Sequence, residues 1–86
     1  KMVVSATAYS GDSITSTGTT PKFGTIAVDP SVIPYGTKVY IPRFGQTFIA
    51  EDCGGGIKGN TIDIYMNTQS ACKSWGVRNI TLEILK

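Results

Sequence analysis

The chain has 86 residues, of which 41% are hydrophobic and 16% charged, and its net charge is +2. This balance excludes a disordered chain, which would carry more charge and fewer apolar residues. The Lys and Arg residues are scattered along the sequence rather than clustered, so we predict no nucleic-acid partner. No apolar run approaches the roughly 20 residues that a membrane-spanning helix needs, and no signal peptide is recognisable. We expect one small domain covering 1–86.

Runs of alternating and β-branched apolar residues predict six strands. They cover 3–9, 24–28, 38–42, 47–52, 61–66 and 77–85. A long polar loop, 10–23, joins the first two strands, and a short turn makes the third and fourth a hairpin. The one helix candidate, 67–76, has Asn67 or Thr68 to cap its start and Gly76 to end it. Closing so small a sheet removes its exposed edges, so we predict an all-β barrel with one short helix.

The most informative segment is a glycine-rich stretch, 54–59, between Asp52 and Asp63. Both acids lie on otherwise apolar strands, and Ile62 and Ile64 share the face opposite Asp63. Apolar strands seldom carry acids outside a functional site, because burying an unpaired charge is costly. The chain has no His, so acid–base chemistry would fall to carboxylates, as in polysaccharide cleavage.

The glycine-rich stretch has two further interpretations. Its glycines, Gly54, Gly55, Gly56 and Gly59, predict positive φ angles or a close approach of another chain segment. A phosphate-binding loop is disfavoured, because such a loop precedes a helix and a strand follows here.

The chain contains two cysteines, Cys53 and Cys72. They are either small buried thiols or a disulfide that would stabilise the domain by about 3 kcal/mol. A metal site is disfavoured because two Cys without His make a poor ligand set. We predict no metal and no cofactor.

Several segments together resemble the 3D domain family, which is named for three aspartates. The matching segments are GTIAVDP (24–30), VIPYGT (32–37) and EDCGGGIKGNTIDIY (51–65), together with Thr7-Ala8-Tyr9 and Trp75-Gly76. The resemblance implies a six-stranded double-psi β-barrel, similar to stationary-phase survival proteins and to the catalytic domain of membrane-bound lytic transglycosylase A. Those proteins cleave peptidoglycan between N-acetylmuramic acid and N-acetylglucosamine, leaving a 1,6-anhydromuramic end. Cys53 and Cys72 both depart from the family pattern, which favours a disulfide between them.

The resemblance implies that Asp63 is the catalytic acid and then base, because it matches the catalytic aspartate of the transglycosylase A family. Such an acid needs a raised pKa, which apolar neighbours or a second carboxylate would supply. Asp52 is either that second carboxylate or a loop anchor that accepts from the backbone of 54–56. Asp29, the third aspartate, belongs to the site or only closes the turn before Pro30.

The remaining candidates are residues that could contact a glycan. They are Tyr9, Thr17, Gly55, Lys58 and Tyr65. Asp12 and Glu51 match no functional position, so we expect both at the solvated surface.

The predicted function is a peptidoglycan lytic transglycosylase with the glycan strand as its partner. A wall-binding or wall-loosening module without net cleavage, as in expansins, is one alternative. A hydrolytic glycosidase that uses Asp63 and Asp52 is the other. The family implies an extracellular or cell-wall-associated protein, and a monomer and a strand-exchanged dimer both stay open.

Overall fold

A computed structural model describes residues 1–85. Its strands are β1 (Met2–Tyr9), β2 (Thr25–Val28), β3 (Lys38–Ile41), β4 (Gln46–Asp52), β5 (Thr61–Tyr65) and β6 (Arg78–Leu85), and its helix is α1 (Gln69–Trp75). Every predicted element is present within one or two residues of its predicted bounds. Within residues 1–85, no helix has the length and apolar character that crossing a membrane requires.

The strands close into a barrel in the order β1-β5-β2-β4-β3-β6. The pairs β1–β5 and β2–β4 are parallel and the other four pairs are antiparallel. The predicted all-β, six-stranded barrel with one short helix is therefore confirmed, and so is the β3–β4 hairpin. These directions give the barrel a helix end, where β1, β3 and β5 finish, and a loop end, where β2, β4 and β6 finish.

Alternate residues of each strand fill the barrel interior. The buried set on the strands includes Val4, Ala6, Ile26, Val28, Val39, Ile41, Phe48, Ala50, Ile62, Ile64, Ile80 and Leu82. Burying each large aliphatic side chain of this kind contributes about 1.5–3 kcal/mol. The residues between them face outward, which confirms that Asp63 lies on the face of β5 opposite Ile62 and Ile64.

Helix α1 covers the helix end of the barrel. Thr68 caps it by accepting a hydrogen bond from the Ala71 amide at 3.0 Å, and Gly76 follows it with φ 65°. The Trp75 indole N–H donates to the Ala6 carbonyl at 3.0 Å. An aromatic cluster of Phe23, Phe44, Phe48 and Trp75, with ring centroids 5.2–5.5 Å apart, packs beside it.

The disulfide predicted between Cys53 and Cys72 is absent, since both thiols are free. Cys53 follows β4 at the loop end, whereas Cys72 lies in α1 at the opposite end of the barrel. A disulfide requires Cα atoms within about 7 Å of each other. Strand directions therefore separate two residues that the sequence pattern had paired.

Candidate active site

Two of the three aspartates lie in one row across four neighbouring strands. Thr7 on β1 is in register with Asp63 on β5, and Asp63 is in register with Ala27 on β2. Ala27 is in turn in register with Asp52 on β4. We call these four residues the aspartate row. Residues in register share a face, so both carboxylates face outward, with their Cα atoms about 10 Å apart across Ala27.

A β-bulge brings Asp52 onto this face. Strict alternation along β4 would place Asp52 on the inner face with Phe48 and Ala50. The register shifts, however, so that Ile26 pairs with Ala50 and Ala27 with Asp52, which leaves Glu51 as the extra residue. One extra residue exchanges the two faces of a strand, and bulges are common beside active sites.

Asp63 is half-buried and holds its proton more strongly than an ordinary aspartate. Burial raises its pKa, and the negative charges of Asp12 and Asp52 raise it further. A hydrogen bond from the Thr7 hydroxyl to Oδ1, at 2.9 Å, partly offsets these effects. Because Thr7 occupies Oδ1, the proton of the neutral acid is best carried on Oδ2.

Asp52 has the opposite electrostatic character although it is only 6% exposed. Its Oδ1 accepts from the Ser16 amide at 3.0 Å, the Ser16 hydroxyl at 2.7 Å and the Cys53 amide at 2.9 Å. Its Oδ2 accepts from the Tyr9 hydroxyl at 3.1 Å. Burial alone would raise the pKa of Asp52, but these hydrogen bonds outweigh it and lower the pKa.

The loop 10–23 supplies contacts that the sequence interpretation missed. The Ser16 hydroxyl donates to Asp52, and the Thr17 amide donates to the Glu51 carbonyl at 3.2 Å. These hydrogen bonds hold the loop against the end of β4. Asp12, predicted to have no role, is near enough for its charge to raise the pKa of Asp63. Alternation along β1 could have placed Thr7 on the outer face, but no local pattern predicts the contact of Ser16 with a residue 36 positions away.

Asp29 lies away from the row, just beyond β2 at the loop end. It accepts from the Ser31 hydroxyl at 2.6 Å, the Ser31 amide at 3.0 Å and the Gly59 amide at 2.8 Å. These bonds, with the Ser31 hydroxyl first, lower the pKa of Asp29 to about 2. The Ser31 bonds close the turn after β2, as one of the two sequence interpretations had it, whereas the bond from Gly59 in the glycine-rich loop was not predicted.

The glycine-rich loop meets its predicted geometry at only two positions. Gly59 has φ 64°, and a Cβ on Gly54 would lie 3.2 Å from the Ile57 side chain. Gly55 and Gly56 have neither a positive φ nor a close neighbour. For those two glycines the prediction is wrong, because the backbone there faces open space.

The candidate glycan-contacting residues divide into two groups. Tyr9 and Tyr65 are in register, stack edge to face with centroids 5.3 Å apart, and follow Thr7 and Asp63 by two residues along their strands. Thr17, Gly55 and Lys58 are exposed and lie in the two loops. Of these candidates, the tyrosines lie on the same strand pair as Asp63 and the other three lie in loops.

The aspartate row is half-buried at Asp63 and almost fully buried at Asp52. Residues 1–85 enclose no pocket. Across the same residues, no three His, Cys, Asp or Glu side chains gather closely enough to hold a metal ion. Two carboxylates with opposite pKa shifts in one row form a candidate acid–base pair on this small closed β-barrel.

The chain belongs to the 3D domain family, whose model matches residues 24–86. It is 39% identical to the "Cell wall-binding protein YocH" of Bacillus subtilis (strain 168), over 99% of this chain and 32% of YocH. It is also 39% identical to YabE of the same organism, whose name assigns it provisionally to cell-wall shaping, over 98% of this chain and 23% of YabE. The chain thus spans about a third or less of these relatives.

Proposed function

We propose that the domain is a peptidoglycan lytic transglycosylase in which Asp63 is general acid and then general base. The observation that carries the proposal is the divergence of two pKa values in one row: that of Asp63 is raised and that of Asp52 is lowered. Environments that separate two carboxylates in this way assign one as proton donor and the other as fixed negative charge.

Asp63 would transfer its Oδ2 proton to the glycosidic oxygen as the bond from that oxygen to the anomeric carbon breaks. The 6-hydroxyl of the same muramic acid then attacks the anomeric carbon, and the Asp63 carboxylate accepts the hydroxyl proton. No water is consumed and Asp63 is regenerated as the acid. The Thr7 hydroxyl, 2.9 Å from Oδ1, would hold the carboxyl in one orientation through both steps.

Asp52 would supply the negative charge that stabilises the oxocarbenium-like transition state. Four hydrogen bonds keep it ionised and fixed in position, so no reorganisation is needed as positive charge develops on the sugar. Two of its three donor residues, Tyr9 and Ser16, lie before the matched family region that begins at residue 24, and Cys53 lies within it.

The substrate class and location rest on the family and on the shape of the site. The paired tyrosines that follow Thr7 and Asp63 on β1 and β5 suit stacking against the sugar rings of a glycan strand. The printed name of YocH assigns cell-wall binding to that relative. We extend this to the present chain, which we place at the cell wall outside the membrane. Since β1 completes the barrel, we infer that 1–86 act as one domain.

The deciding experiment compares Asp63→Asn with wild type on purified sacculi, and mass spectrometry detects 1,6-anhydromuropeptides. We expect the variant to lose roughly 10²–10⁴-fold in rate, the usual contribution of a general acid. Glu83→Gln is the matched control, because it removes one outward carboxylate from β6, on the opposite side of the barrel from the row. Equal product from wild type and Asp63→Asn would refute the proposal.

The same digest separates the two alternatives. A hydrolase that uses Asp63 and Asp52 would release reducing ends instead of anhydro ends. A binding module, which the name of YocH favours, would sediment with sacculi and release no soluble product. In that case Asp63→Asn would affect only the amount bound.

A further inference from the structure

Two arginine side chains lie against one aromatic ring at the helix end of the barrel. The guanidinium carbon of Arg78 is 4.6 Å from the centroid of the Trp75 ring, and that of Arg43 is 5.3 Å from it. Because both distances are measured to the same centroid, the two guanidinium carbons are no more than about 10 Å apart. We call these three residues the arginine–tryptophan cluster.

Arg78 is held in place before any ligand arrives. Its Nε donates to the Trp75 carbonyl at 2.9 Å and its Nη2 donates to the Ser74 carbonyl at 3.2 Å. Arg78 also stacks on Trp75, which is itself 7% exposed, and its side-chain hydrogen bonds within residues 1–85 come from Nε and Nη2 rather than Nη1. A guanidinium that is already ordered loses little conformational entropy when it binds an anion.

The segments that carry the cluster contain no acid. Neither 42–45, the turn that holds Arg43, nor 66–78, the helix with its flanks, includes Asp or Glu, and the helix adds Lys73. Like charges held over one ring repel each other, and no carboxylate of these segments balances them. The charges are thus complementary to an external anion.

We propose that the arginine–tryptophan cluster binds a phosphate group. A carboxylate has two oxygens, and a single arginine fork can occupy both of them. Two forks that approach from different elements, β6 and the β3–β4 turn, suit a tetrahedral oxyanion that offers further oxygens. Arg43 is exposed, and the proposal requires its guanidinium to close on an ion that Arg78 binds. The site is separate from the aspartate row and does not depend on the proposed function.

The test uses the fluorescence of Trp75, the single tryptophan of the chain. Inorganic phosphate is titrated at constant ionic strength, with chloride and acetate as the other anions. We expect a saturable change with phosphate alone. In Arg43→Gln the dissociation constant should rise roughly tenfold or more, because a charge-assisted contact is lost. Lys38→Gln removes an equal charge from an exposed position at the loop end of β3 and should bind as wild type does.

Each other outcome overturns the proposal. Equal responses to chloride or acetate would make the effect one of general charge or of carboxylate binding. If Lys38→Gln weakened phosphate binding as much as Arg43→Gln does, the binding would not depend on the arginine–tryptophan cluster. If the fluorescence does not change, the Trp75 indole and Arg78 Nε signals are followed by NMR, and unmoved signals contradict the site. Polyglycerol phosphate in place of phosphate then identifies the source, since repeated phosphates bind more tightly than a single ion.

Discussion

Aspartate side chains have different environments in the aspartate row and at the loop end of the barrel. At the loop end, Asp29 accepts three hydrogen bonds from two turns, and its pKa falls to about 2. In the row, Asp63 is half-buried with one hydrogen-bond donor and two negative neighbours, and its pKa rises. Asp52 lies in the row with Asp63, but like Asp29 it accepts several hydrogen bonds, and its pKa is lowered. The number of hydrogen-bond donors that each carboxylate meets therefore decides the direction in which its pKa shifts.

The largest effect after that of Asp63→Asn should come from Asp52→Asn. Removing the fixed charge should lower the rate of anhydro-muropeptide release by roughly 10²–10³-fold. It also removes one cause of the raised pKa of Asp63, so the alkaline limb of the rate–pH profile should move to lower pH.

Asp29→Asn is the matched control for that substitution, because it neutralises an aspartate that stabilises a turn. Its rate should stay near that of wild type, although its stability should fall. If Asp29→Asn lowered the rate as much as Asp52→Asn does, the proposal that Asp52 acts in catalysis and Asp29 only stabilises a turn would be contradicted.

Thr7→Val should give a smaller effect of opposite sign on the pH profile. The Thr7 hydrogen bond lowers the pKa of Asp63, so its loss should move the alkaline limb to higher pH. The plateau rate should fall about five- to tenfold, because the carboxyl loses its fixed orientation.

Thr7→Ser keeps the hydroxyl and should restore both the plateau and the limb. A purely structural role for Thr7 would change the amount of folded protein while leaving the position of the limb unaltered.

At the loop end, two glycine substitutions test how far backbone geometry matters. Gly59→Ala should lower the free energy of unfolding by about 1–2 kcal/mol, because φ 64° is strained for any residue with a Cβ. Gly55→Ala should change it by less than about 0.5 kcal/mol, since nothing lies within 4 Å of its Cβ position. Urea denaturation measures both, and equal losses would contradict the described loop.

The sequence predicted the barrel well because alternation within strands is a local property. Ile62 and Ile64 define the inner face of β5, which places Asp63 outside without reference to any other strand. The same rule fails for Asp52, whose direction depends on a register shift between β2 and β4. The failed Cys53–Cys72 pairing has a similar cause, since strand direction in a closed barrel is a property of the whole fold.

The electrostatics of the site were only half predictable. A carboxylate between apolar residues suggested a raised pKa for Asp63, and burial is indeed the largest cause. The four hydrogen bonds to Asp52 come from β1, loop 10–23 and its own neighbour. Contacts between such distant parts of the chain leave no pattern in a single sequence.

The most direct test of the central claim is an NMR titration of the Asp63 and Asp52 side-chain carboxyl carbons in one wild-type sample. We predict that Asp63 titrates above the ordinary aspartate value of 3.8 and Asp52 below it. At a pH between the two values, Asp63 would be protonated and Asp52 ionised. The reverse order, or two carboxyls that titrate together near the ordinary value, would contradict the assignment of Asp63 as the acid.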